Sequence, residues 1–142
     1  MIYEPFAPFT CSHIIEKSLK TLPLENGDII VTNSTHFSGF SIGHIVIVVD
    51  AENGKVLNAT GYGNLSGVEG VTDMTNRPSF KVFRPKLSKE KRQEAVDFVM
   101  ENYKELPYSI SVGLFGAKNP EKPVKTNCAH IVWAAYKSLG VD

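Results

Sequence analysis

Residues 44–49 read His-Ile-Val-Ile-Val-Val, apolar at nearly every position and dominated by β-branched side chains. Such a run suits a strand covered on both faces, which is the middle strand of a sheet with other layers packed against it. That requirement constrains the chain more than any other feature, because it demands a sheet with a core on each side. At 142 residues, with 42% hydrophobic and 21% charged residues, the chain has the length and composition to bury such a core as one domain, residues 1–142.

The neighbouring segments supply the rest of the sheet. Asp28-Ile29-Ile30-Val31-Thr32 is a β-branched run bounded by turn residues and predicts a strand. Asp50 to Gly54 reads as a turn, after which Val56 to Thr60 returns as the second strand of a hairpin. Shorter strands near Val68–Val71 and Phe80–Arg84 complete an antiparallel meander of about five strands. Asn33 to Ser41 is polar and reads as a loop, as does most of Leu106 to Lys125, with Pro107, Gly113, Gly116, Pro120 and Pro123.

Three helices are expected. Ser12 to Leu22 places Ile14, Ile15, Leu19 and Leu22 at three- and four-residue spacings before Pro23 and the Glu25-Asn26-Gly27 turn. Ser88 opens a second helix running to about Lys104, with Ala95, Phe98 and Val99 on its apolar face. The third, amphipathic, spans Cys128 to Leu139, with Gly140 as its C-terminal cap. The predicted class is α+β.

Fifteen basic residues balance fifteen acidic ones, so the broad positive field on which nucleic-acid binding depends is missing. No segment approaches the roughly 18 apolar residues of a membrane span. The N-terminus, Met-Ile-Tyr-Glu-Pro-Phe, has neither the basic nor the apolar region of a secretory signal. The expected compartment is therefore the cytoplasm, with export by another route left open. Two cysteines, Cys11 and Cys128, are too few for a disulfide scaffold, and catalytic, buried and bridged readings all stay open for them.

Cys128 stands at the predicted first turn of the last helix, where backbone N–H groups and the helix dipole favour a thiolate. A thiolate nucleophile needs an imidazole to take its proton, and His44 is the histidine that sits in a strong strand. The ring in turn needs a group to fix its tautomer, and the Asn58 amide lies on the returning strand of the hairpin, where it can share a face with His44. Read by residue type alone, Cys128 is equally a small buried hydrophobe and His44 an interior histidine satisfied by its neighbours. Thr10-Cys11-Ser12, ahead of a short helix, offers a competing nucleophile. Cys128, His130, His44 and His36 are suitable zinc ligands, but their spacing matches no zinc pattern, and residues two apart on a helix diverge. His130 reads as a packed helix residue, and Trp133 and Tyr136 as core aromatics. Gly61-Tyr62-Gly63-Asn64 follows a strand but opens no helix, so it is not a phosphate loop.

Taken in order, Gly27-Asp28-Ile29-Ile30-Val31, Gly43-His44-Ile45-Val46-Ile47-Val48, Val56-Leu57-Asn58-Ala59, Leu106-Pro107-Tyr108-Ser109 and Asn127-Cys128-Ala129-His130-Ile131-Val132 resemble the permuted branch of the NlpC/P60 superfamily. In that branch the histidine precedes the cysteine, as here. The likeness is greatest to the YiiX/YaeF-like papain-fold amidases and covers Gly27 to Gly140. A second likeness, in Asn127-Cys128-x-His130, is to the lecithin:retinol acyltransferase group. The resemblance implies a circularly permuted papain-like fold and a thiol hydrolase with Cys128 as nucleophile, His44 as base and Asn58 as third residue. It implies no cofactor, and a substrate with an amide or ester bond in a peptide, a peptidoglycan fragment or a lipid. Acyl transfer and a catalytically lapsed binding module are the alternatives. The family pattern carries glutamate where this chain has Asn58, and an amide stabilises an imidazolium less than a carboxylate does. Pro107-Tyr108 upstream of Cys128, with no counterpart before Cys11, favours Cys128 over Cys11.

Overall fold

The structure, a computed structural model, describes residues 3–5, 9–10, 24–32, 44–61, 63–72, 79–109 and 123–141. The predicted helix at Ser12–Leu22, the predicted loop at Asn33–Ser41, Cys11 and His36 lie outside them. In chain order the strands are β1 (Tyr3–Pro5), β2 (Phe9–Thr10), β3 (Ile29–Thr32), β4 (His44–Asp50), β5 (Lys55–Asn58), β6 (Gly67–Gly70) and β7 (Ser79–Pro85). Among the described residues two helices follow, α1 (Lys89–Asn102) and α2 (Cys128–Lys137).

The seven described strands join one antiparallel sheet in the order β1-β7-β3-β4-β5-β6, with β2 also paired to β7. The five-strand body β7-β3-β4-β5-β6 corresponds to the expected sheet, and β1 and β2 extend it beside β7. Its connectivity differs from a meander. β7 does not lie beside β6 but pairs with β3, Ile29 opposite Phe83 and Thr32 opposite Phe80. Pairing with β7 as well as β4 satisfies the backbone N–H and C=O groups on both edges of β3, whose Ile29 and Ile30 are buried on opposite faces. Arg84 secures the pairing by donating from Nε and Nη2 to the two carboxylate oxygens of buried Asp28, at 2.8 and 2.9 Å. A bidentate fork of this kind fixes register as well as adding energy.

Alternation along the strands divides the core in two. Ile29, Ile47, Val49, Leu57 and Ala59 face the helices, where Ala95, Val96 and Val99 of α1 and Ile131, Ala134, Ala135 and Tyr136 of α2 meet them. Ile30, Val46, Val48, Val56, Phe80 and Val82 form the second face, closed in part by Val71, Leu24 and Ala51. β4 is thus buried on both sides, as its sequence demands, and each fully buried Ile or Val contributes roughly 1.5–3 kcal/mol.

The helix boundaries have local causes. Ser88 caps α1 by accepting from the Lys91 N–H, and Asn127 caps α2 by accepting from the His130 N–H at 2.9 Å. At the end of α2, Gly140 turns to φ +79°, with Gly140 N–H bonded to Lys137 O and Val141 N–H to Tyr136 O. This reversal needs a left-handed residue, and glycine provides it.

Candidate functional site

His44 opens β4 and Asn58 ends β5. The register pairs Ile47 with Leu57 and Val48 with Val56, so His44 and Asn58 lie on one face of the sheet, displaced diagonally by one pair. They meet directly: His44 Nε2 lies 2.7 Å from Asn58 Oδ1. Asn58 is 4% exposed, so its amide must be satisfied from within. Its Nδ2 donates to Glu69 Oε2 at 3.0 Å. Glu69 stands on β6, opposite Val56, and its part here follows from a register that local sequence does not disclose.

Cys128 approaches from the other side. Its helix packs on the face of Ile47 and Leu57, whereas His44, opposite Thr32 in a register that also pairs Ile30 with Val46, belongs to the second face. The sulfur reaches β4 at the backbone, where the Ile45 N–H is directed at it. That amide follows the His44 Cα by one peptide bond. A sulfur within hydrogen-bonding distance of it stands within about 6 Å of that Cα, while the ring itself is turned to the second face, toward Asn58. The ring and the thiol thus flank the start of β4 from opposite faces.

Burial pushes the Cys128 thiol above its ordinary range, against the N–H groups of Ile45, Ala129 and Cys128 itself, which favour the thiolate. The helix start therefore acts in the direction expected from sequence, but it is outweighed. Desolvation of a thiolate is costly, and three partial dipoles do not replace the lost water.

Asn127 and His130 have structural work. Beyond capping α2, Asn127 donates from Nδ2 to Ser109 O at 3.0 Å. His130 is buried, shares a hydrogen bond between Nδ1 and Thr126 Oγ1 at 3.1 Å, stacks on Trp133 and meets the edge of Tyr103. The string Asn127-Cys128-x-His130 is accordingly a cap and a packed ring on either side of the thiol. Tyr136 is fully buried, and Trp133 packs against the helix-side core.

Pro107 bridges to Leu65, and Tyr108 to Thr126, which ties the segment ahead of Cys128 to the loop after β5. In that loop Asn64 N–H closes a turn onto Gly61 O. Among the described residues, no three His, Cys, Asp or Glu side chains group as a metal site requires, and no helix is long and apolar enough to cross a membrane. Comparison with family models, with curated proteins and with solved structures returns no match, and the site is read from its own residues.

Proposed function

We propose that the chain is a thiol hydrolase of the permuted papain-like kind, acting on an amide or ester bond. The observation that carries this reading is the hydrogen bond that fixes the His44 ring on Asn58, at 2.7 Å, at the start of the strand whose Ile45 N–H favours the Cys128 thiolate. In the proposed reaction the thiol proton passes to His44 around the end of β4, through a water, as the sulfur attacks the substrate carbonyl. Collapse of the tetrahedral intermediate expels the amine or alcohol, which takes that proton, and leaves a thioester on Cys128. Water, deprotonated by His44, then releases the acid and restores the thiol. The N–H groups of Cys128 and Ala129, at the start of α2, are the donors best placed for the developing oxyanion. Peptides, peptidoglycan fragments and lipids are the substrate classes implied by the sequence resemblance, with transfer to another acceptor as the related activity.

A second reading, a binding module of the same fold without turnover, is favoured by one observation: burial holds the Cys128 proton more tightly than in a free thiol. Labelling by iodoacetamide, followed at each cysteine by mass spectrometry across pH, separates the two. A hydrolase in which His44 takes the proton labels at Cys128 well below pH 8.5, the ordinary thiol value, and His44→Ala moves that profile upward. A Cys128 that labels only above pH 8.5, unchanged by His44→Ala, overturns the hydrolase reading. Hydrolysis of p-nitrophenyl acetate, lost in a folded Cys128→Ala chain, is the matching activity test.

A further inference from the structure

The Asn58 amide bonds His44 on one side and Glu69 on the other, and the three side chains stand in a row on neighbouring strands β4, β5 and β6. We infer that Glu69 is a positioning residue for His44, orienting the Asn58 amide and supplying through it the negative charge that asparagine lacks. This inference deepens the hydrolase reading and rests on it for its catalytic meaning.

Donors and acceptors fix the orientation of the amide. A carboxylate only accepts, so the amide must turn its Nδ2 toward Glu69. Its Oδ1 then faces His44, and because a carbonyl oxygen also only accepts, His44 Nε2 must carry the proton. A neutral imidazole protonated at Nε2 has its lone pair at Nδ1, so one glutamate on β6 dictates which ring nitrogen can act as the base. Asn58 is almost wholly shielded from solvent, which makes a wrongly turned amide expensive, because it would oppose Nδ2 to an N–H and Oδ1 to a carboxylate. When His44 takes a proton, the Glu69 charge lies one amide away and favours the imidazolium.

Among the described residues, β3 places neutral Thr32 opposite His44, β5 contributes neutral Asn58, β6 contributes Glu69, and α2 brings the titratable Cys128 to the adjoining amide from the opposite face. Removing the Glu69 charge should therefore be read directly by the ring.

The test is an NMR titration of the His44 ring in the full chain, its resonance identified by loss in His44→Ala. Glu69→Gln, which keeps an acceptor but not the charge, is expected to move the His44 midpoint to lower pH. Glu69→Lys should move it further in the same direction, while Glu52→Gln, on the β4–β5 turn, leaves it in place. Glu69 is partly exposed on its strand, so these variants are expected to fold, and a far-UV spectrum checks this. A His44 midpoint unmoved by both Glu69→Gln and Glu69→Lys in folded protein overturns the inference. The measurement needs no substrate. A shift in a chain that hydrolyses nothing keeps the Glu69 assignment and removes the hydrolase reading; no shift in an active enzyme removes the Glu69 assignment alone.

Discussion

Asn58 is the residue at which the two sides of the site are balanced, and its substitution by aspartate is more informative than its removal. In isolation, aspartate would be the better partner for an imidazolium. Next to Glu69, whose oxygen lies 3.0 Å from the Asn58 amide, it would instead set two carboxylates in contact, and such a pair holds a proton between them. Asn58→Asp alone is therefore expected to lower turnover of p-nitrophenyl acetate, by roughly tenfold given the usual weight of groups that orient a site histidine. Asn58→Asp combined with Glu69→Gln, which moves the charge from β6 to β5, should recover most of it. Steady-state kinetics on the two single variants and the double variant check this, and an additive double variant would show that the two residues act independently.

At the level of elements, each strand and helix draws on the sequence to a different depth. β4 is legible from its own residues, because burial on two faces leaves no room for polar alternation. The start of α2 is legible from Asn127, an N-cap residue followed by an apolar helix. The position of β7 is not, since its pairing with β3 depends on the Arg84–Asp28 fork across 56 residues of chain, and no local period encodes a distant partner. Nor was the raised Cys128 thiol legible, because helix-start electrostatics are local whereas burial is a property of the packed fold. Gly27 shows how tightly the elements are joined. It takes φ +92°, and a Cβ there would lie 2.7 Å from the Arg92 Cβ of α1 and 2.8 Å from the Tyr136 hydroxyl of α2. That hydroxyl also donates to the Gly27 carbonyl. Gly27→Ala is thus expected to destabilise the fold by about 3 kcal/mol, combining left-handed strain with overpacking, measurable as a lower midpoint in urea. A change within a few tenths of a kcal/mol would mean that the helices can part without loss.

Across the whole molecule, fifteen positive and fifteen negative charges cancel at pH 7, so near neutrality electrostatic stability rests on particular clusters. The clearest is at Glu25. Burial works against its ionisation, but Arg84, Lys89 and Arg92 outweigh that and hold its carboxyl below the usual value, with Arg92 Nη2 at 2.5 Å. A carboxyl with a depressed folded pKa stabilises the native state at pH above its unfolded value, about 4.3, and that contribution is lost as pH falls through the lower, folded value. Thermal melts between pH 6 and pH 3 should therefore fall less steeply for Glu25→Gln than for wild type; parallel curves would locate the acid sensitivity elsewhere. The return of the chain from β6 to β7 has a consequence in time as well as in space. The hairpin β4–β5 and its extension to β6 bring together residues close in sequence, but the seam between β3 and β7 joins Ile29 to Phe83 and Thr32 to Phe80, and loop closure must be met before that seam contributes anything. The histidine strand can thus form early against its neighbours, while the seam that gives β3 its second partner, and the docking of α2 that carries the cysteine, belong to the later and slower part of folding.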